Sequence, residues 1–351
     1  MKRVDKILVL AILLIAFFPA IRLTAGNEDR SGQAGASELL INPWSRSSGW
    51  GNANSASVRG LESLYTNVAG TAFTNKTELI FARTSWLKGS GVNISAFGLS
   101  QKVSETGVLC LSIMSMSFGD IPITTVDLPE GGIGTFSPNL MNIGVSYAKA
   151  FSNSIYGGIA LKIISESISD ATAQGVAIDA GIQYVTGEKE NIKFGISMKN
   201  VGPRMKFTGD GLSFRGFIPG NANQFTVEQR SAEFELPSLI NIGAAYDFTI
   251  NSNNRLTAAG NFTSNSFTKD QYILGLEYAF KKILMLRAGY AYEKDILKKA
   301  TRTSALTGPS AGFTVDIPMN KEKGSTFGLD YSFRASNPWQ GTHCIGVRIN
   351  L

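Results

Sequence analysis

Large apolar residues alternate with small or polar residues along most of the chain. In residues 176–184 the even positions are Val, Ile, Ala, Ile and Tyr, whereas the odd positions are Ala, Asp, Gly and Gln. Segments 192–199, 240–248, 272–280 and 327–334 repeat this alternation. A period of two residues is typical of a β-strand with one apolar and one polar face. The pattern therefore predicts an all-β protein.

Fourteen segments of this kind follow one another after residue 76. Most are about ten residues long, the length that a tilted strand needs to cross a bilayer. Strands of soluble sandwiches are usually about five or six residues long. The lengths therefore favour a transmembrane antiparallel β-barrel of about 14 strands over a soluble β-sandwich. We place the strands near 77–86, 91–103, 107–119, 139–150, 154–166, 175–185, 192–201, 236–250, 254–265, 270–280, 284–293, 310–317, 324–334 and 342–351.

Long and short connections alternate between the predicted strands. If the chain enters the barrel from the periplasm, the long connections 120–138, 202–235 and 294–309 all lie at the outer end, and every inner connection is short. Outer-membrane barrels show this asymmetry. The even number of strands then predicts a cell outer membrane protein with both termini in the periplasm.

Aromatic residues cluster at the ends of the predicted strands, on the apolar face. Two aromatic girdles at the membrane interfaces are expected of a transmembrane barrel. The aromatic filling of a soluble core does not explain this placement. The clustered residues are Tyr147, Tyr184, Tyr246, Phe248, Tyr278 and Phe280 near the inner ends, and Tyr290 and Tyr292 near an outer end.

Residues 1–25 have the features of a secretory signal peptide. A short basic start precedes an apolar run from Ile7 to Ile21, and small residues follow before Gly26. The run is about 15 residues long, shorter than the roughly 20 that a spanning helix needs, which disfavours a membrane-anchored amino terminus. We expect cleavage near Gly26 or Asn27.

The charge balance does not indicate nucleic-acid binding. The formal charge is +6, but the predicted signal holds four basic residues and one acidic residue, so 29 basic and 26 acidic residues remain. The two cysteines, Cys110 and Cys344, fall on the third and last predicted strands. These strands are not neighbours in a closed barrel, so no disulfide is expected.

Residues 39–72 read LLINPWSRSSGWGNANSASVRGLESLYTNVAGTA. This segment resembles the amino-terminal signature of the PorV/PorQ family, which is itself similar to FadL-type barrels of fourteen strands. In that signature an Arg precedes a Gly-x-Gly turn, an Ala-rich stretch follows, and then come an acidic residue and a Tyr/Trp-Asn-Pro/x-Ala-Gly element. Val68 replaces a frequent Pro. The matching positions are Arg46, Gly49, Gly51, Glu62, Leu64, Tyr65, Asn67, Ala69 and Gly70.

The resemblance implies a function in protein transport. PorV-like proteins are outer-membrane components of the type IX secretion system of Bacteroidota. They are thought to take folded cargo from the translocon to the attachment complex at the cell surface, and to recognise cargo by its C-terminal signal domain. The implied partners are outer-membrane lipid, the type IX translocon, attachment-complex proteins and secreted cargo, with no nucleic acid. The last strand also resembles a C-terminal insertion signal, with Leu351 in place of the usual Phe.

Residues 26–76 precede the predicted barrel of residues 77–351. Gly49 and Gly51 permit a tight backbone path, and residues 58–65 are compatible with a short helix. The segment either plugs the barrel or forms a periplasmic lead-in that caps the barrel floor. The sequence leaves both alternatives open.

Candidate catalytic chemistry is scarce, and we predict that the protein is not an enzyme. Residues 308–312 spell Gly-x-Ser-x-Gly, but a nucleophile elbow needs a strand-to-helix turn and a catalytic His. This segment instead leads from a loop into a strand. The only His, His343, is expected at the rim or in the lumen. One His and two separated Cys give no metal-ligand spacing, so we predict no catalytic, cofactor or metal residues.

The long outer loops are the best candidates for binding a partner or ligand. Residues 203–235 carry Phe207, Phe214, Phe217 and Phe225 among Gly and polar residues. Aromatic residues exposed on a rim are suited to hold a partner or a hydrophobic ligand; alternatively, the loop folds back and closes the mouth. Residues 120–138 are a weaker candidate.

The predicted lumen face carries charges of both signs, which favours internal ion pairs over a selective pore. A non-enzymatic scaffold or shuttle for type IX secretion is therefore the preferred function. A FadL-like channel for hydrophobic small molecules is the alternative, and a porin comes third. The charged lumen positions are Lys162, Asp179, Lys193, Lys199, Asp247, Glu277, Arg287, Asp330 and Arg348.

Overall fold

The computed structural model describes residues 26–217, 219–220, 223–320 and 324–351, so the predicted signal peptide lies outside the described residues. Within the described part of the chain, fourteen long strands form one barrel. Among these residues no helix is long and apolar enough to cross a membrane, a finding that does not concern strands. The strands are β1 (Thr77–Ser85), β2 (Asn93–Lys102), β3 (Gly107–Ser117), β4 (Asn139–Ala150), β5 (Ile155–Ile168), β6 (Ala171–Thr186), β7 (Ile192–Val201), β8 (Leu239–Asn251), β9 (Asn254–Asn265), β10 (Gln271–Phe280), β11 (Leu284–Glu293), β12 (Leu306–Asn320), β13 (Ser325–Ser336) and β14 (Thr342–Asn350).

The barrel closes between its first and last strands. Each strand pairs antiparallel with its neighbour in the chain, and β1 pairs with β14 in a register that runs from Glu78 opposite Asn350 to Ser85 opposite His343. Closure satisfies the main-chain hydrogen bonds of every strand within the wall, which a strand inside a bilayer requires. The predicted fourteen-stranded antiparallel barrel is confirmed.

The period of two residues separates the two faces of the wall. In β6, Asp179 and Gln183 are buried on the lumen side, whereas Ile178, Ile182 and Tyr184 are exposed on the outer side. The other long strands follow the same alternation. An apolar outer face in a closed barrel is the face that contacts lipid.

The aromatic residues at the strand ends lie on this outer face. Tyr246 and Phe248 in β8 are exposed, with ring centroids 4.6 Å apart, and they lie near the end of the strand. Tyr290 and Tyr292 are exposed near the opposite end of the barrel. The aromatic residues therefore form the two interfacial girdles that the sequence predicts.

The two ends of the barrel differ in their connections. At one end, here called the short-turn end, strands are joined by brief turns such as residues 252–253 and 281–283. At the other end, here called the long-loop end, the connections include 118–138, 202–238 and 294–305. The asymmetry predicted from the sequence is present.

One predicted loop is a tight turn. The sequence places a connection at 167–174, but β5 extends to Ile168 and β6 begins at Ala171. Residues 169–174 lack large apolar side chains, so their alternation is not visible in the sequence. A short strand, Phe207–Thr208, pairs with β6 at Thr172 and Ala173 and stabilises the extended part.

Residues 26–76 run through the barrel from one end to the other. Gly26 contacts Asp270 at the long-loop end, and the Phe73 ring stacks on Tyr156 at the short-turn end with centroids 4.1 Å apart. Residues 36–73, here called the plug, fill the lumen, and residues 26–35, here called the strap, lie at the long-loop end. The plug contains helices α1 (Ser45–Gly49) and α2 (Ser63–Thr66), with 3-10 turns at Ser37–Leu40 and Val68–Phe73. The helix expected over 58–65 is therefore present only as α2.

The described chain begins and ends at opposite ends of the barrel. The Leu351 amide donates to the Thr77 carbonyl oxygen at 2.9 Å at the short-turn end. Gly26 lies at the long-loop end. Gly26 and Leu351 therefore lie at opposite ends of the barrel, whereas the sequence analysis expected both termini at the same, periplasmic end. The sequence expectation assumed that the chain enters β1 directly from the side where its amino terminus lies.

The apolar core lies between the plug and the wall rather than within the wall. Leu61 of the plug is fully buried and packs toward Gly98 of β2. Small wall residues leave room for the large plug side chains. The main cluster combines Trp44, Leu61, Leu64 and Val68 of the plug with Ile80, Ala82, Ala96, Val108, Cys110, Ala160 and Cys344 of the wall.

Candidate functional site: the filled lumen and the long-loop mouth

Glycines that face inward ring the lumen at the level of the plug. A Cβ atom on Gly195 in β7 would lie 2.6 Å from the carbonyl oxygen of Ser55, closer than packed atoms allow. A Cβ atom on Gly275 in β10 would lie 2.8 Å from that of Ala53. The plug therefore approaches the wall so closely that only glycine fits these positions. Other wall glycines in contact with the plug are Gly98, Gly158, Gly181, Gly243, Gly289, Gly312 and Gly346.

Asn67 joins the plug to two strands of the wall. Its side-chain amide donates to the carbonyl oxygens of Ile182 in β6 at 3.0 Å and Ile196 in β7 at 3.4 Å, and to that of Ser55 in the plug at 3.1 Å. Its side-chain oxygen accepts from the Ala69 amide at 3.2 Å. The Asn of the sequence signature is thus a buried connector between plug and barrel.

The three glycines of the signature permit close main-chain approaches. A Cβ atom on Gly49 would lie 3.1 Å from the Cα atom of Gly312 in β12. Gly51 has a φ of +68°, a conformation that favours glycine. A side chain on Gly70 would overlap the carbonyl oxygen of Val58. All three residues therefore shape the path of the plug.

Arg46 of the signature pairs with Glu62, the acidic residue of the same signature. The Arg46 Nε atom lies 3.6 Å from Glu62 Oε1, and both side chains are largely buried. Glu62 Oε2 accepts from the main-chain amide of Ser47 at 3.1 Å and from its hydroxyl at 2.9 Å. The pair connects α1 to the residue that precedes α2 and holds the two short helices together.

Charges on the lumen face of the wall form ion pairs. Arg287 Nε lies 2.7 Å from Glu277 Oε2, and Arg255 Nη2 lies 2.9 Å from Glu277 Oε1. The predicted positions Lys162 and Asp179 form a pair at 2.5 Å. A buried charge needs such a partner. The predicted internal pairing is confirmed for these residues, and further pairs join Lys193 to Asp247 and Arg348 to Asp316.

The remaining space in the lumen is divided. A cavity of about 60 Å³ lies between the plug and β3, β4 and β5, and its lining includes Leu39, Trp44 and Tyr65. Two larger polar cavities, each of about 480 Å³, lie toward the short-turn end and share Arg46 and Arg59. Residues of the plug line all three cavities.

The candidate aromatic residues at the long-loop end fall into two groups. Phe207 packs inward, with its ring centroid 5.9 Å from that of Phe234, against the buried Met205 and Leu236. Phe214, Phe217 and Phe225 lie on a hairpin of strands Ser213–Phe217 and Gln224–Glu228 and are 53%, 65% and 36% exposed. The loop therefore closes part of the mouth and also presents an exposed hairpin.

The hairpin register decides which rings share a face. Phe225 lies opposite Gly216, and Phe214 precedes Gly216 by two residues. Side chains two residues apart point to the same face of a strand. Phe214 and Phe225 therefore share one face, and Phe217 lies on the other.

Ser310 and His343 do not form a catalytic pair. Ser310 lies on the lumen side against Gly51, whereas His343 lies on the outer side, where its Nδ1 atom is 2.8 Å from the Tyr331 hydroxyl. Cys110 and Cys344 are buried and unbonded to each other. Within the described residues no group of three or more His, Cys, Asp or Glu side chains is arranged to hold a metal ion.

The strap is a feature that the sequence did not indicate. Arg30 Nη2 lies 3.0 Å from Glu235 Oε2, and its guanidinium lies 4.2 Å from the centroid of the Phe267 ring. The hydrogen bond from Arg30 lowers the pKa of the Glu235 carboxyl below its usual value, and Arg204 adds to this effect. The partners are about 200 residues apart in the chain, and no local pattern predicts such a contact.

These features define an outer-membrane β-barrel with a filled lumen. More particularly, residues 132–349, which are more than half of the chain, match the family of the type IX secretion system membrane protein PorP/SprF, and the chain belongs to that family. The amino-terminal segment resembles the PorV/PorQ signature, but the family match is to PorP/SprF, a family of the same secretion system. The comparison with curated protein sequences finds no match.

Solved structures of similar fold are hydrocarbon transporters and FadL relatives. The P. putida toluene transporter TodX has a TM-score of 0.53 at 13% identity, over 88% of this chain and 97% of that chain. The Ralstonia pickettii toluene transporter TbuX has a TM-score of 0.51 at 11% identity, over 88% and 97%. A Pseudomonas aeruginosa FadL homologue has a TM-score of 0.52 at 11% identity, over 87% and 97%. At these identities the likeness concerns the fold alone.

Proposed function

We propose that this protein is a non-enzymatic scaffold or shuttle of the type IX secretion apparatus, which binds the translocon and the C-terminal signal domains of cargo. The observation that carries the proposal is the close packing of the plug against inward glycines of the wall, such as Gly195 and Gly275. A lumen filled in this way favours action through the rim surfaces rather than through a continuous pore.

The long-loop end faces the cell exterior in this proposal. Short periplasmic turns and longer extracellular loops are the usual arrangement in outer-membrane barrels. The carboxyl terminus, at the short-turn end, is then periplasmic. The chain is divided into a cleaved signal peptide at 1–25, the strap and plug within 26–76, and the barrel at 77–351.

The hairpin of the 202–238 loop is the proposed docking surface for a protein partner. Phe214, Phe217 and Phe225 expose large apolar rings at the barrel mouth. Exposed aromatic side chains contribute strongly when they become buried at a protein interface. The resemblance of residues 39–72 to the PorV/PorQ signature supports the shuttle role, although that segment precedes the matched range.

The docking proposal is tested by replacing the three exposed rings with Ser. The variant F214S/F217S/F225S is expected to insert normally and to lose most of its co-purification with translocon or cargo. The control is Val126→Ser, which removes an apolar side chain that is 99% exposed from the 118–138 loop. Retention of translocon and cargo by the triple variant at native levels contradicts the proposal.

A channel for hydrophobic small molecules is the second candidate. The cavity of about 60 Å³ beside Trp44 and Leu64 has a mainly apolar lining, and the fold resembles transporters whose names refer to toluene. Deletion of the gene is expected to reduce uptake of a small aromatic hydrocarbon if this function holds. Unchanged uptake in the deletion strain argues against it.

A further inference from the structure

Gly26 occupies a small site of oxygen acceptors at the long-loop end. Its main-chain nitrogen lies 2.8 Å from Asp270 Oδ2. A Cβ atom on residue 26 would lie 2.8 Å from both Asp270 Oδ1 and the Thr268 carbonyl oxygen. The site therefore takes a glycine and leaves no room for a larger residue.

The chemistry of this site suits a free amino terminus. Signal peptidase hydrolysis of the Ala25–Gly26 bond adds one water, leaving a carboxylate on Ala25 and an amine on Gly26. An α-amine has a pKa of about 7.7–8.0 and is mostly protonated at neutral pH. An ammonium group bound to a carboxylate forms a charge-assisted hydrogen bond, which is stronger than the bond from an uncharged amide.

We propose that Asp270 and the adjoining 265–268 main chain form a binding site for the processed amino terminus of this chain, so that the mature amino terminus is held at the long-loop mouth. The docking of Gly26 stands on the geometry alone. The statement that this mouth is the cell surface rests on the orientation proposed above.

The rest of the strap is fixed to two loops of the mouth. The Asn27 amide donates to the Asn265 carbonyl oxygen at 3.4 Å, and the Gly35 amide donates to the Glu235 carbonyl oxygen at 3.1 Å. The Arg30 side chain pairs with Glu235 and covers the Phe267 ring. The strap thus joins the 266–270 turn to the 202–238 loop, and it forms part of the surface that a partner at this mouth meets.

Sidedness is tested with single cysteines and a membrane-impermeant maleimide on intact cells. Asp29 and Lys282 are both exposed, at the strap and at the short-turn end respectively. The unsubstituted protein, whose Cys110 and Cys344 are buried, sets the background. We expect labelling of D29C, and labelling of K282C only after permeabilisation.

The labelling pattern distinguishes the proposed orientation of the barrel from the proposed position of the amino terminus. Labelling of K282C alone on intact cells supports passage of the chain through the barrel and overturns the proposed orientation. Equal labelling of both variants, or of neither, overturns the placement of the amino terminus at the end opposite the short turns.

The acceptor site is tested by trimming the purified protein with an aminopeptidase. Intact mass is expected to show a chain that begins at Gly26, and Asp270→Asn is expected to accelerate its release about tenfold. Asp295→Asn is the matched control, because Asp295 lies in a neighbouring loop at the same mouth and pairs with Lys298 instead. If D270N is not recovered, Gly26→Ala tests the same site, because its Cβ would displace the terminus from Asp270. A mature chain that begins elsewhere, or equal trimming of the native protein and the variant, overturns the proposal.

Discussion

The side-chain amide of Asn67 donates to the main-chain carbonyl oxygen of Ile182 at 3.0 Å, so the plug is hydrogen-bonded to the wall deep inside the barrel. The same amide reaches Ser55 and Ile196. One buried side chain therefore connects two parts of the plug with two strands. These hydrogen bonds therefore help to position the plug, in addition to its close packing against the glycines of the wall.

Replacement of Asn67 with Ala is expected to lower the free energy of unfolding by about 1–3 kcal/mol, because buried carbonyl groups lose their donor. Unfolding in urea, followed by the fluorescence of the plug tryptophans Trp44 and Trp50, measures the change. The control is Asn253→Ala in an exposed turn. An effect of N67A no larger than that of N253A contradicts the structural role of Asn67.

A methyl group added to the lumen side of the wall is expected to displace the plug. At Gly195 the new Cβ would lie 2.6 Å from the Ser55 carbonyl oxygen, and overpacking of this kind typically costs about 1–3 kcal/mol. At Gly260, on the lipid side of β9, the nearest atom would lie 3.5 Å away, an ordinary contact. G195A is therefore expected to reduce the urea midpoint, and G260A to leave it nearly unchanged. Equal midpoints for the two variants would show that the plug does not press on the wall.

Removal of one partner from the buried Glu277–Arg287 pair is expected to be strongly destabilising. Glu277→Gln leaves the fully buried Arg287 without its carboxylate, a change that costs about 3–5 kcal/mol in comparable sites. The double variant E277L/R287M removes both charges and is expected to recover much of that loss. The urea midpoints of E277Q and E277L/R287M are compared with that of the native protein. A double variant less stable than E277Q indicates that the charges themselves are required for folding.

The attachment of the strap is expected to weaken in acid. Hydrogen bonding from Arg30 lowers the pKa of Glu235 below its usual value of 4.5. A carboxyl whose pKa is lower in the folded than in the unfolded protein stabilises the fold fully above its unfolded-state pKa. That stabilisation is lost as the pH falls through the folded-state pKa. A spin label on D29C is therefore expected to remain immobile at neutral pH and to become mobile only below about pH 4.5.

The control for this pH dependence is Glu235→Gln, which removes the titrating group. In that background the label is expected to be more mobile at neutral pH than in the native protein and to respond less to acid, because the contact of Gly26 with Asp270 remains. Mobility that rises between pH 8 and 6 in the native background would assign the transition to a different group.

The sequence predicts the barrel well because each strand carries its own signal. In β6 and β8, residues that face lipid alternate with residues that face the plug. Each face restricts the residue types at every second position, so the alternation is visible within the strand itself. The β5–β6 turn was missed because residues 169–174 carry no large apolar side chains. Residues 171–174 pair with residues 165–168 across the β5–β6 turn, and Thr172 and Ala173 also pair with Phe207–Thr208, a distant part of the chain.

The candidate site is less predictable from the sequence than the wall. The signature residues Arg46 and Asn67 are visible in the sequence, but their partners Glu62 and Ile182 are fixed by the path of the plug. The contacts of Gly26 with Asp270 and of Arg30 with Glu235 join positions more than 200 residues apart. Such contacts depend on tertiary structure and have no local periodicity.

The central claim is that the plug closes the lumen, so that the protein acts through its rim. The most direct measurement is the conductance of the purified native protein in a planar lipid bilayer in concentrated KCl. If the plug closes the lumen, the inserted protein gives no stable current steps. Regular, long-lived steps of uniform size from the native protein would show an open water-filled lumen and contradict the claim.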